Sequence, residues 1–174
     1  MLQLLKSLRK WGNRMICILI HRCSKEDMYK AYDSIERHLL NTCPLPIKRN
    51  KPAAIIYVSS LMKLEFRSGH DASKLRGLKP DYINADSYIV KGEMFHRCMQ
   101  DNPIIDDIYK FIDHFIKDNI FRCINQVVKT RIENTGSRKF KFVCNEAIEP
   151  YAREYFKDSD IEIVVSKAYE EVEE

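Results

Sequence analysis

The sequence predicts an α/β fold with a mainly parallel sheet and flanking helices, and three observations carry that expectation. Met15 to Ile20 is an unbroken apolar run, the pattern of a strand buried on both faces. Ser24 then supplies an N-cap with Asp27 after it, and Met28, Ala31, Tyr32, Ile35, Leu39 and Leu40 line one face of a following helix. Further short apolar runs alternate with helical patterns to the end of the chain, the order that βαβ units require.

Each element has its own warrant. Leu2, Leu4, Leu5, Leu8 and Trp11 form an apolar stripe with Lys6, Arg9 and Lys10 largely off it, so residues 1–14 read as an amphipathic helix. It either docks on its own domain, touches a membrane or nucleic acid, or pairs with a second copy. The helix after Ser24 stops before Pro44 and Pro46, because proline removes a helical donor and clashes with the preceding turn. Residues 48–52 read as a linker. Ala53 to Val58 and the alternating Met62, Leu64 and Phe66 read as two arms of a hairpin around Ser59-Ser60. Residues 69–80 form a loop, and Tyr82 to Ala85 a short strand with Asp86 at its carboxyl end. A short helix is expected over 92–100.

From Ile104 to Ile132, apolar residues recur at spacings of three and four, which predicts one long helix or two broken near Asp118-Asn119. Phe121 to Val128 also fits a strand. Phe140, Phe142 and Cys144 alternate with lysines as a strand. A helix starts at Glu149-Pro150, where proline is tolerated in the first turn, and a last strand covers 161–165. A chain of 174 residues with 45% apolar side chains is bounded to one domain, expected over 15–169, with an acidic tail at 170–174.

The net charge of +4 conceals an asymmetry. Residues 1–99 carry 18 Lys and Arg against 9 Asp and Glu, and residues 100–174 carry 11 against 16. A basic front half suits a nucleic-acid backbone, and an acidic back half does not. The candidate contact residues are Lys48, Arg49, Lys51, Arg67, Lys74, Arg76 and Lys79, which flank the expected hairpin and could converge on one edge. Tyr57 and Tyr82 lie nearby, although strand aromatics more often fill a core than stack on bases. A solvated surface of uneven charge is the plain alternative.

Six cysteines without CxxC pairs, set mostly in apolar runs, read as buried reduced thiols in a cytoplasmic compartment. No run reaches the ~18–20 apolar residues of a membrane span, so no membrane partner is expected. His21-Arg22-Cys23 and His96-Arg97-Cys98 repeat a triplet, but not at zinc-site spacing. Asp81, Asp86 and Glu65 are the acids nearest strand ends, where a magnesium-dependent nuclease would need them to converge.

The stretch 61–87, LMKLEFRSGHDASKLRGLKPDYINADS, runs from an alternating strand through Leu75-Arg76-Gly77 to an apolar run ending in Asp86. This order resembles the Walker B region of phage terminase large subunits and related P-loop motors. The resemblance implies a degenerate P-loop-NTPase-like core of phage type. Asp86 matches the aspartate that helps hold magnesium, and Ser87 stands where the family has its water-activating glutamate. None of the five glycines is followed by Lys-Ser or Lys-Thr, so the phosphate loop is absent. The residues 15–21 would correspond to the second strand of such a core.

The sequence therefore assigns no catalytic residue and no cofactor, with Asp86 as a weak metal ligand at most. It points to a non-catalytic binding protein acting on nucleic acid or a nucleoprotein, including an anti-CRISPR-type inhibitor of a host nuclease. An accessory subunit of a packaging or replication motor, whose partner supplies the phosphate loop, is the alternative. The third reading is the magnesium-dependent nuclease.

Overall fold

The computed structural model describes residues 14–69, 75, 78–86 and 102–166. The expected helix over 1–14 except Arg14, the expected helix over 92–100, the acidic tail, and Lys74, Arg76, Gly77, Ser87, His96 and Cys98 lie outside them. The span expected as a single domain contains two compact units, dividing between Asp113 and His114.

The first unit is built on a five-stranded sheet. Its strands are β1 (Ile16–Arg22), β2 (Ile47–Asn50), β3 (Ile55–Val58), β4 (Met62–Ser68) and β5 (Tyr82–Ala85), and the order across the sheet is β2-β3-β4-β1-β5. β1 runs parallel to both neighbours, while β2, β3 and β4 form an antiparallel meander. The sheet is thus mixed rather than mainly parallel. Part of the difference lies in 48–52: Lys48 to Asn50, expected as linker, belong to β2, whose antiparallel pairing with β3 adds to that of the β3–β4 hairpin. The expected hairpin of β3 and β4 forms. Ser59 turns it with φ of +51°, and the Leu61 amide closes it onto the Val58 carbonyl.

Helix α1 (Lys25–Thr42) starts at the expected cap, where the Ser24 side chain accepts from the Asp27 amide. It buries Met28, Tyr32, Ile35 and Leu39 against one face of the sheet, with the Tyr32 and Phe66 rings 5.0 Å apart. Register puts Val58 with Met62, and Ile56 with Leu64 and Ile18, on that face, and all five side chains are completely buried. This is the core of the unit. Tyr82 shares the face and meets Phe111 at 4.7 Å. Beyond β5, Ile104 makes an isolated parallel bridge to Ile83.

Helix α2 (Ile108–Thr135) is one unbroken helix of 28 residues, which settles the choice between one helix, two helices and a strand. Asn119 sits inside it, its side chain donating to the Phe115 carbonyl one turn back. Gly136 ends it at φ +63°, and its amide bonds the Ile132 carbonyl, the left-handed helix stop that glycine adopts without steric cost. The second unit continues with β6 (Lys141–Cys144), α3 (Glu149–Tyr155) and β7 (Glu162–Val165). β6 and β7 pair in parallel, with α3 as the crossover, and Phe142 and Phe156 pack with centroids 5.1 Å apart. No helix among the described residues is long and apolar enough to cross a membrane.

Candidate functional site

In α/β sheets, ligand sites form at the carboxyl ends of parallel strands where the strand order reverses. Here the reversal is at β1: the chain leaves it toward β2, returns through β4, and then passes to β5 on the other side. The carboxyl ends of β4, β1 and β5 present Ser68, Arg22 and Asp86, and the Gly69 amide donates to the Arg22 carbonyl at 3.1 Å.

Arg22 is the centre of this cluster. Its guanidinium donates to the Asn84 side-chain oxygen at 2.7 Å, to the Asn84 carbonyl at 3.2 Å and to the His21 carbonyl at 2.8 Å. Asp86 closes the group, with its carboxylate 3.7 Å from Arg22 Nε and accepting the Cys23 amide at 3.0 Å. The buried Asn84 amide donates to the Ile105 carbonyl at 2.8 Å, so both ends of its side chain are satisfied. Parity explains the grouping: Ile20 pairs with Asn84, which places Arg22 and Asp86 two positions later on the same face.

His21 points to the opposite face, with Arg67 and Ala85 as register partners. It is buried, and among the described residues its Nδ1 has no hydrogen-bond partner. Burial lowers its basicity, and the nearby Asp86 carboxylate only partly opposes this.

The turn between β1 and α1 is Cys23 and Ser24 alone. A phosphate loop needs a run of backbone amides and glycines between strand and helix. Two residues, one amide of which is already bonded to Asp86, do not provide it.

The candidate basic residues are dispersed. Arg49 faces α1 and pairs with Glu36 at 3.1 Å, and Lys51 pairs with Asp33 at 2.6 Å. Arg67 Nε pairs with Glu65 at 2.9 Å, and Lys63 holds the other Glu65 oxygen at 2.6 Å. Burial pushes the Glu65 carboxyl up, but these hydrogen bonds and the two cations outweigh it and hold it below the usual range. Lys48 and Lys79 are exposed, and neither makes an ion pair among the described residues. Lys51 and Arg67 belong to the end of the sheet that carries Asp86. Lys79 precedes β5 at the other end, where Asp81 accepts the Cys17 amide at 2.7 Å.

The three acids expected near strand ends do not converge either, Glu65 lying on the sheet face opposite the Arg22–Asp86 group. Asp81 and Asp86 stand at opposite ends of β5, and at about 3.3 Å per residue five steps put them roughly 16 Å apart. Two catalytic metals share ligands across about 4 Å. Among the described residues no group of three His, Cys, Asp or Glu side chains is placed to hold a metal ion. Cys17, Cys23, Cys43, Cys123 and Cys144 are free thiols, but only Cys144 is fully buried and the other four are half-buried.

Sequence reasoning missed Arg22, Asn84 and Lys63. Asn84 had a signal, a polar side chain within the short apolar run of β5. Arg22 and Lys63 had none beyond alternation, whose meaning depended on register. No protein-family profile, no curated protein and no solved structure matches this chain.

Proposed function

We propose that this chain is a non-catalytic α/β binding protein whose target is nucleic acid or a nucleoprotein. One observation carries the non-catalytic half: the Asp86 carboxylate is an internal anchor. It accepts the Cys23 amide and faces Arg22, so a cation seeking that carboxylate must displace a guanidinium that three further acceptors hold in place. The two-residue turn from β1 into α1 supports the same reading. The excess of 18 Lys and Arg over 9 Asp and Glu in residues 1–99 favours a polyanionic target.

The test is binding of labelled single- and double-stranded DNA and RNA across a salt series, with magnesium present and both strand cleavage and ATP hydrolysis followed. Binding that weakens steeply with salt, without product, is the expected outcome. Magnesium-dependent cleavage abolished by Asp86→Ala would replace this reading with a nuclease. Nucleotide binding lost in the same variant would replace it with a motor component.

A further inference from the structure

The two faces of the first unit's sheet differ in a way that identifies a surface. Register places Lys48, Tyr57, Lys63 and Cys17 in one row across β2, β3, β4 and β1 on the face away from the Ile56–Leu64 core. The next row on that face is Asn50, Ile55, Glu65 and Leu19, and Arg67 follows beside His21. Toward β5 this face is closed, with Leu19, His21 and Ile83 buried. Over β2, β3 and β4 it is open apart from Glu65, which is buried: Lys48 and Arg67 are exposed, and Ile55, Tyr57 and Lys63 are half-buried.

Resting on the nucleic-acid reading above, we propose that this open β2–β4 face binds a single strand of nucleic acid. Tyr57 stacks on a base, and Lys48, Lys63 and Arg67 contact the phosphates. The alternation that sends Ile56 and Val58 into the core turns Tyr57 to the open side, between lysines on both neighbouring strands. An aromatic ring flanked by cations on an open sheet face matches a base and its two adjoining phosphates, because every base offers a π-face.

Glu65 is the positioning residue. It holds Lys63 by one oxygen and Arg67 by the other, fixing both cations over the sheet. Each keeps donors to spare, two on the ammonium and Nη1 on the guanidinium. Three cations against one carboxylate leave the face positive. A duplex suits it less well, since a multi-stranded sheet face enters neither groove and a paired base has no free π-face for Tyr57.

The experiment is fluorescence anisotropy with a labelled mixed-sequence single strand, as DNA and as RNA, and with its duplex, from 25 to 200 mM salt. Wild type is compared with Tyr57→Ala, Tyr57→Phe, Lys48→Gln and, as a charge-matched control in the second unit, Lys129→Gln. Three phosphate contacts predict a slope of log K against log salt of about −2 for a single strand. Tyr57→Ala is expected to weaken binding roughly five- to hundred-fold, the effect of losing one base stack, and Tyr57→Phe to retain it. Lys48→Gln should lower the slope by about 0.7, and Lys129→Gln should leave it unchanged.

Lys48 is an exposed side chain on an edge strand, so its variant keeps the test decisive if Tyr57→Ala does not fold. Tighter binding to the duplex overturns the single-strand assignment. Binding that survives both face variants but is lost in Arg49→Gln with Lys51→Gln overturns the face and leaves the nucleic-acid reading intact. No binding of wild type to any probe removes that reading and this proposal with it.

Discussion

Replacing Asp86 separates a structural anchor from a vestigial metal ligand. Asp86→Ala removes the acceptor of the Cys23 amide, a hydrogen bond of 3.0 Å to a charged group, which typically contributes about 1.5–3 kcal/mol. It also removes the carboxylate 3.7 Å from Arg22 Nε. That part is smaller. Asp86 is 37% exposed and Arg22 keeps Asn84 and two carbonyls, so the ion pair belongs to the screened class of roughly 0.2–1 kcal/mol. Together the loss is about 2–4 kcal/mol. Asp86→Asn retains an oxygen that accepts the Cys23 amide without charge assistance, and should lose only about half as much.

The assay is urea unfolding followed by far-UV circular dichroism, with and without magnesium and ATP. For a slope of about 2–3 kcal/mol per molar urea, Asp86→Ala moves the midpoint down by about 1 M, and Asp86→Asn falls between it and wild type. Magnesium and nucleotide should shift none of the midpoints, because only a ligand bound by the folded state stabilises it. An Asp86→Ala midpoint indistinguishable from wild type refutes the anchor. So does a wild-type midpoint raised by magnesium and unmoved in the variant, which would show the carboxylate serving a metal.

Two further outcomes follow from single residues. Burial holds the His21 ring below its ordinary value of 6.5, so the unfolded chain takes up a proton that the folded chain resists. Its contribution is therefore full above pH 6.5 and lost as pH falls from there through the folded value; wild type should lose urea resistance between pH 7 and 5 more steeply than His21→Gln, and parallel profiles would refute it. Gly136 sits at φ +63° with nothing within 4 Å of where a Cβ would be, so Gly136→Ala meets strain without collision. The expected cost is about 1 kcal/mol, with Gly136→Asn costing less, and an alanine variant as stable as wild type in the same unfolding assay would contradict the left-handed stop.

Local signals made most elements legible and left their pairing hidden. Ser24 and Asp27 announce α1, and Pro44 its end, because capping and proline chemistry act within one turn. Glu149-Pro150 announces α3 in the same way. The hairpin of β3 and β4 followed from alternation around Ser59-Ser60. The strand at 47–50 was not legible, since Lys48, Arg49 and Asn50 have no apolar alternation to show. It forms as an edge strand whose burial is slight and whose partner is set by the turn at 51–54. It adds a second antiparallel pair to the expected β3–β4 hairpin, so the sheet is mixed rather than mainly parallel. The choice between one and two α2 helices was closed because Asn119 satisfies its own side chain on the preceding turn.

Charge was legible as a total and not as a surface. The front half contains nine more cations than anions, yet α1 supplies Asp33 and Glu36 against Lys51 and Arg49, which removes two residues of the expected binding edge. Parity then decides which of the rest meet solvent together. Arg49 lies on the α1 side because it pairs with Ile56, while Lys48, one position earlier, lies with Tyr57. Shifting β2 by one residue would exchange them, placing Lys48 opposite Glu36 and leaving Arg49 beside the tyrosine. Which cation stands on the open face, and which is held by α1, is thus a property of register, which no composition or spacing in β2 specifies. It is fixed by hydrogen bonds from β2 to β3, and a functional surface built this way moves with the strand that carries it.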